Sequence, residues 1–212
     1  MEDRPIHESA VLGGQVFSLE HAFQNRPDLQ AFAHAYLTDS ALLQAASNPE
    51  NPRHQEVINQ LRRIGGTMAE AMMEYFPAVV CGERPTVALA DLRSLPMAQH
   101  FCAIPGLAVF PYSLERDSIV CEPNLDVFQN VLLIRDIMFD GIDEQKVISQ
   151  LSGHDVSVIA GSANLDAERE LTVYTAQPFR ALNIWGRAAL PNAPTPQLPD
   201  RGNRPAQQEF FS

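Results

Sequence analysis

Charged residues directly follow a short apolar run in the segment VLLIRDIMFDGIDEQKVISQL, residues 131–151. The run 131–134 is typical of a strand covered on both faces of a parallel sheet, and residues 142–151 have helical spacing. Residues 135–143 would then connect the carboxyl end of a strand to the start of a helix. Ligands bind at such places in open α/β sheets, because a helix N-terminus offers unpaired N–H groups to an anion.

The acidic residues of this connection favour a different use of the helix N-terminus. Asp140 can cap the helix, and Asp143 can stand as an acidic residue in its first turn. Their carboxylates would then fill the space of a bound phosphate and would repel it strongly in a partly dehydrated site. We therefore expect a self-capped loop in preference to a phosphate cradle.

The same segment resembles the signature of the type I phosphoribosyltransferases, most of all the orotate-type members. That signature is a four-residue apolar strand, two acidic residues, two apolar residues and a Thr/Gly-rich loop that opens a helix. Arg135 and Asp136 stand at the acidic pair, and residues 139–143 stand at the loop. With the order of the elements around it, the resemblance covers about residues 78–185.

The resemblance implies roles for individual residues. In the family, the acidic pair holds the ribose hydroxyls of phosphoribosyl pyrophosphate and the loop cradles its 5′-phosphate. The implied phosphoribosyl-binding positions are Arg135, Asp136, Asp140, Gly141 and Asp143. Arg84 is the implied pyrophosphate contact, although a solvated loop arginine explains it too. No catalytic residue is indicated.

Departures from the family pattern are as informative as the matches. Arg135 reverses the charge of the first acidic position, and only Gly141 remains of the hydroxyl and glycine residues of the loop. Residues 112–130 correspond to a mobile basic loop of the orotate-type enzymes, but Arg116 is their only basic residue. The segment after the first predicted strand also lacks the paired glycines of the family's pyrophosphate-binding turn, so all three anion-binding elements are eroded.

These departures predict a non-catalytic or weakly active phosphoribosyltransferase-like protein, which binds a nucleotide-like or other small ligand or acts through protein contacts. The alternative is an active enzyme that transfers ribose-5-phosphate from phosphoribosyl pyrophosphate to a nitrogenous base. Mg²⁺ is expected as a cofactor only in that case. The resemblance also implies a homodimer.

The remaining elements predict an α/β fold, in which a mainly parallel central sheet is flanked by helices. Helices are expected at 25–37, at 38–47 with Thr38 or Asp39 as the cap, at 53–76, at 95–102 and at 142–151. Glycines 65 and 66 indicate a kink or close helix packing. Apolar runs predict strands at 78–82, 107–110, 118–121, 131–134, 155–161, 171–174 and 181–185.

The chain divides by composition into three parts. Residues 1–76 are expected to form a helical segment or hood, and residues 77–187 the phosphoribosyltransferase-like core. Residues 188–212 contain five prolines and are expected to form a disordered or extended tail, which could bind a protein partner.

Composition excludes several other classes of function. Fifteen basic residues against 26 acidic ones give a net charge of -11, which disfavours nucleic acids and anionic membranes as partners. Three cysteines without a CxxC pair and six scattered histidines predict no metal centre. Because neither a secretory signal nor a membrane-spanning apolar stretch is visible, we expect a cytoplasmic protein.

Overall fold

The computed structural model describes residues 15–115, 118–138, 142–151, 153–164 and 171–180, without the side chains of residues 115, 118 and 142–145. Within these residues, seven strands form one sheet in the order β1-β7-β6-β5-β2-β3-β4. The strands are β1 (Val16–Ser18), β2 (Thr86–Ala90), β3 (Leu107–Glu115), β4 (Ser118–Cys121), β5 (Asn130–Met138), β6 (Asp155–Asn164) and β7 (Thr172–Phe179).

Neighbouring strands are parallel throughout the sheet, except for β3 and β4, which form an antiparallel pair. Strands β2 and β5 are buried along nearly their whole length, as expected for strands that helices cover on both faces. The predicted α/β class, with a mainly parallel sheet flanked by helices, is confirmed.

Six α-helices surround the sheet in the described part of the chain: α1 (Pro27–Thr38), α2 (Ser40–Ser47), α3 (His54–Tyr75), α4 (Pro77–Val80), α5 (Leu95–Ala98) and α6 (Ile142–Gln150). Pro27 begins α1, where its missing N–H is no loss. The Asp39 carboxylate accepts a hydrogen bond from the N–H of Ala41 at 2.9 Å and caps α2. The helices predicted from 25–37, 38–47 and 53–76 are confirmed within two residues at each end. None of the described helices has both the length and the apolar character needed to cross a membrane.

The paired glycines of α3 mark a close contact between helices. The helix continues through Gly65, and a side chain there would collide with the backbone of Met97 in α5. Only a residue without a Cβ allows the two helices to approach this closely. The expectation of close helix packing at these glycines is confirmed.

Two expectations about strands were wrong. Residues 78–82 are not a strand, because Pro77 to Val80 form the single helical turn α4. The strand of this region is instead β2 (Thr86–Ala90), where the sequence predicted none. Short apolar runs have no periodicity that separates a strand from a helical turn, so the choice between these runs could not be made locally.

One predicted helix differs from the structure in its extent, and two other predictions fall on residues that the structure does not describe. The helix predicted at 95–102 is α5 followed by a 3₁₀ turn, Gln99–Ala103. The predicted strand 181–185 and the tail 188–212 lie outside the described residues. The boundary at residue 76 stays a prediction, and β1 joins the N-terminal part of the chain to the sheet by pairing with β7.

Apolar side chains form a core on each face of the sheet. The first core lies under α1, α2, α3 and α5 and includes Leu29, Leu61, Met97 and Ile134. The second core lies on the opposite face, where Val147 of α6 packs with residues of β5 and β6. Both faces are therefore covered, and a ligand would reach the sheet at the ends of its strands.

The strand order identifies the place at the ends of the strands where a ligand can bind. The chain proceeds from β2 to β3 and β4 in one direction and from β5 to β6 and β7 in the other. The connections after β2 and β5 therefore diverge, and a crevice forms between them at the carboxyl ends of these strands. This is the topological switch point of the sheet.

Candidate functional site

The crevice at the carboxyl ends of these strands is lined by residues 91–93, which follow β2, by residues 112–114 of β3, by Arg135 of β5 and by Ser47 at the end of α2. It has a volume of about 460 Å³, within the range of ligand pockets. Its lining residues are Ser47, Asp91, Leu92, Arg93, Tyr112, Ser113, Leu114 and Arg135. Two arginines, one carboxylate and three hydroxyl groups thus face a cleft with two leucines.

Asp136 lies beside this crevice with its side chain fully buried. Its Oδ2 atom accepts a hydrogen bond from the Tyr36 hydroxyl at 2.8 Å and lies 2.6 Å from Nε of Arg93. Its Oδ1 atom accepts a hydrogen bond from the N–H of Ile137 at 2.8 Å. Both carboxylate oxygens are therefore engaged within the protein, and because the side chain is fully buried, a ribose hydroxyl could reach the carboxylate only if the surrounding side chains moved.

The backbone at Asp136 is fixed by two further contacts. Its N–H donates to Oγ of Ser94 at 3.0 Å, which connects β5 to the segment after β2 a second time. Gly161 of β6 lies next to it, and a Cβ there would come within 2.7 Å of the Asp136 carbonyl oxygen. The strand pair can approach this closely because residue 161 has no side chain.

The partners of Asp136 keep their protonated forms. Burial raises the pKa of the Tyr36 hydroxyl far above its ordinary value, and the charge of Asp136 raises it further, so Tyr36 stays a hydrogen-bond donor. Burial alone would lower the pKa of Arg93, but the Asp136 carboxylate more than offsets this effect and the pKa is raised. A neutral phenol and a charged guanidinium thus stabilise a buried carboxylate from two directions.

Arg135 makes a separate network on the opposite face of β5. Its Nη1 atom lies 2.8 Å from Oδ2 of Asp91 and donates a hydrogen bond to the Tyr112 hydroxyl at 3.0 Å. Asp91 also accepts a hydrogen bond at Oδ1 from the N–H of Ser94, at 2.9 Å. Tyr112 belongs to the second core and Tyr36 to the first, as expected because adjacent residues of a strand point to opposite faces.

The two ion pairs connect the same two segments in a crossed arrangement. The segment after β2 supplies the acid for Arg135 and the base for Asp136, and β5 supplies the complementary charges. Each face of β5 therefore carries one ion pair between the two sides of the switch point. The four charges sum to zero, so these side chains give the crevice no net charge.

This arrangement does not fit a resident Mg²⁺ ion. Both oxygens of Asp91 and of Asp136 already accept N–H or O–H donors or lie against a guanidinium. Mg²⁺ requires near-octahedral oxygen coordination, which carboxylates bound in this way do not supply. Across the described residues, no group of three His, Cys, Asp or Glu side chains is placed to hold a metal ion.

The structure brings together only some of the residues that the resemblance implied. Arg135 and Asp136 lie side by side at the switch point. Arg84 lies at the opposite, amino-terminal edge of the sheet, where it forms an exposed ion pair with Asp155 at 2.8 Å. Asp140, Gly141 and the side chain of Asp143 lie outside the described residues, so the self-capped loop stays a prediction.

Sequence reasoning missed Tyr36, Asp91 and Tyr112 as residues of the site, and it favoured Arg84 over Arg93 among the bases that follow the first predicted strand. One signal could have found Asp91. An arginine at the end of a buried strand requires a nearby acid, and Asp91 directly follows the apolar run TVALA. Arg93 then stands two residues later as the partner for Asp136.

No protein-family model matches this sequence, and no relative is found among curated proteins. Among solved structures, the chain is similar to the AQ2163 protein from Aquifex aeolicus, with a TM-score of 0.52 and 11% identity over 78% of this chain and 88% of that one. At this identity the likeness is one of fold alone.

Two hypoxanthine phosphoribosyltransferases are also similar in structure. The Trypanosoma cruzi enzyme has a TM-score of 0.40 and 8% identity, over 60% of this chain and 79% of that one. The Staphylococcus aureus enzyme has a TM-score of 0.39 and 12% identity, over 58% of this chain and 75% of that one. Both TM-scores are below 0.5, so neither likeness indicates what this chain does.

Proposed function

We propose that this chain is a phosphoribosyltransferase-like protein that does not catalyse phosphoribosyl transfer. One observation carries the proposal. The two positions that correspond to the ribose-binding acidic pair, Arg135 and Asp136, are both engaged in ion pairs with the segment after β2. In the phosphoribosyltransferases that this chain resembles, a turn that follows the first strand binds pyrophosphate, and the segment after β2 stands at that place. A substrate would therefore have to separate the two ion pairs before it could occupy either subsite.

The energy of that separation is comparable with the whole free energy of binding at a Kd of 1 mM, which is about 4 kcal/mol. Removing one partner of a buried ion pair costs about 3–5 kcal/mol, because the other charge stays desolvated. A ribose hydroxyl is neutral and cannot replace Arg93 beside the buried carboxylate of Asp136. A penalty of this size weakens binding by roughly two to four powers of ten.

The active-enzyme alternative makes different demands on the same residues. It requires Asp136 to exchange Arg93 for the ribose hydroxyls, and it requires Mg²⁺ to arrive with pyrophosphate. The solved phosphoribosyltransferases named above are hypoxanthine enzymes, so the orotate-type subclass stays a prediction. The homodimer, the nucleotide-like ligand, the partner of the tail and the cytoplasmic location are likewise predictions.

Titration calorimetry and thermal unfolding with phosphoribosyl pyrophosphate and Mg²⁺ test the proposal. We expect neither heat of binding nor a rise in the melting temperature at millimolar ligand, whereas a ligand at 100 times its Kd would stabilise the fold by about 2.7 kcal/mol. Pyrophosphate release should be absent with orotate, hypoxanthine or other bases as acceptors.

Matched variants make a positive result interpretable. If the crevice binds phosphoribosyl pyrophosphate, Ser113→Trp, which fills the crevice from β3, should abolish the heat, while Arg84→Ala at the opposite ends of the strands should leave it unchanged. That pattern, with release of pyrophosphate, would overturn the non-catalytic proposal and establish the alternative. Heat that survives Ser113→Trp would locate the binding outside the crevice.

A further inference from the structure

A second groove lies on α3 and shares no lining residue with the crevice. It has a volume of about 500 Å³ and lies between the second half of α3 and the 3₁₀ turn after α5. Its lining residues are Gly66, Ala69, Glu70, Met73, Glu74, His100, Ala103 and Ile104. Small residues from both walls leave room for another backbone, and the Met73 side chain is flexible and 38% exposed.

The lining of this groove contains two glutamates and no lysine or arginine. Glu70 and Glu74 are exposed, stand one helical turn apart and both line the groove. Residues 64–83 contain three glutamates and no lysine or arginine. Within the described chain, neither Glu70 nor Glu74 forms an ion pair with a basic residue.

Glu70 and Glu74 stand at positions where their negative charge lowers the stability of helix α3. The carboxyl end of a helix carries partial negative charge, and like charges four residues apart repel each other. The last turn of α3 contains no basic residue that would compensate. Local rules of this kind are broken most often at functional sites, where the gain lies in binding.

We propose that this groove binds a basic amphipathic segment of a partner protein. The apolar side of the segment would pack on the exposed side chains of Met73 and Ala103, and its lysines or arginines would neutralise Glu70 and Glu74. Met-lined grooves that accept the apolar face of a helix are an established mode of recognition. The inference does not depend on the proposed function of the crevice.

Charge argues against the two other candidate occupants. A symmetric contact with a second copy would oppose Glu70 and Glu74 to the same residues, and each chain carries a net charge of -11. The tail, residues 188–212, contains Arg201 and Arg204 but also Asp200 and Glu209, so its side chains carry no net positive charge to complement the two glutamates. A basic partner segment supplies that charge.

The experiment uses the full chain and a fluorescein-labelled helical peptide of leucine and lysine with one tryptophan in its apolar face. A twin peptide has glutamate at every lysine position. We expect saturable binding of the lysine peptide by fluorescence anisotropy, which weakens with added salt, and no binding of the twin. The pair Glu70→Gln/Glu74→Gln should weaken binding by roughly tenfold, as expected for the loss of two rim contacts.

Two control variants separate the groove from general charge attraction. Glu50→Gln/Glu56→Gln removes the same number of charges from exposed sites outside the groove, and we expect less than about a twofold change. Ala103→Trp fills the groove without changing its charge and should abolish binding. Thermal unfolding of each variant verifies that it folds. Equal weakening by the two glutamine pairs, normal binding by Ala103→Trp, or no binding of the lysine peptide would each overturn the proposal.

Discussion

The crevice at the switch point and the groove on α3 use charge in opposite ways. In the crevice, four charged side chains form two ion pairs, and the Asp136 carboxylate is fully buried. At the groove, Glu70 and Glu74 are exposed and have no basic partner in the described chain. The charges of the crevice are thus satisfied within the fold, whereas those of the groove are available to a partner.

Fixing the position of a group in the fold is different from increasing the free energy of unfolding. A buried ion pair can contribute little net free energy, because desolvation opposes the attraction, but it fixes the groups that it connects. In the crevice, the crossed pairs fix the segment after β2 against β5. At the groove, the helix loses a small amount of stability and gains a surface that differs from the rest of α3.

The largest effect is expected where the buried carboxylate is removed. Asp136→Ala leaves Arg93 and Tyr36 without their shared acceptor, and we expect the free energy of unfolding to fall by about 3–5 kcal/mol. Urea denaturation measures this loss. Asp155→Ala is the control, because its exposed pair with Arg84 should contribute less than about 1 kcal/mol. Comparable losses in the two variants would show that burial does not distinguish these pairs.

The crossed arrangement itself is tested by exchanging one pair. Asp91→Arg and Arg135→Asp each place like charges together, and each should lower the free energy of unfolding by about 2–3 kcal/mol. The double variant restores an ion pair with its direction reversed and should recover part of the loss. We expect a coupling energy of about 1–3 kcal/mol from the double-mutant cycle. Additive losses would mean that Asp91 and Arg135 are not energetically coupled.

The sequence was sufficient for elements whose pattern is long or unambiguous. Helix α3 repeats its apolar residues over 22 positions, and β5 contains four buried apolar residues in succession directly after Asn130. Strand β2 was missed because a second short apolar run, 78–82, lies close before it. Strand β1 has only three residues and is defined by its pairing with β7, which no local pattern reveals.

The site was predictable in part, for a physical reason. Arg135 and Asp136 could be identified because they follow the buried run of β5 directly. Their partners are 44 and 43 positions away, at Asp91 and Arg93, and contacts over such separations depend on strand order. Because β2 was not recognised, the segment after it could not be placed at the switch point. One missed strand therefore concealed half of the site.

The smallest effect concerns the cost of the uncompensated charge on α3. Glu74→Lys places a base in the last turn of the helix, where it complements the partial negative charge of the helix end and pairs with Glu70. We expect the free energy of unfolding to rise by about 0.3–1 kcal/mol, measured by urea denaturation at low salt.

The same substitution at the other end of α3 supplies the control. Glu56 lies in the first turn, where a carboxylate is favourable, and it lies 3.6 Å from Arg53. Glu56→Lys should therefore lower the free energy of unfolding by a similar amount, so that two identical charge reversals in one helix have opposite signs. If both variants changed stability in the same direction, net charge would explain the result. If they differ in sign as expected, Glu74 destabilises the helix that carries it, which is the cost that a basic partner at the groove would offset.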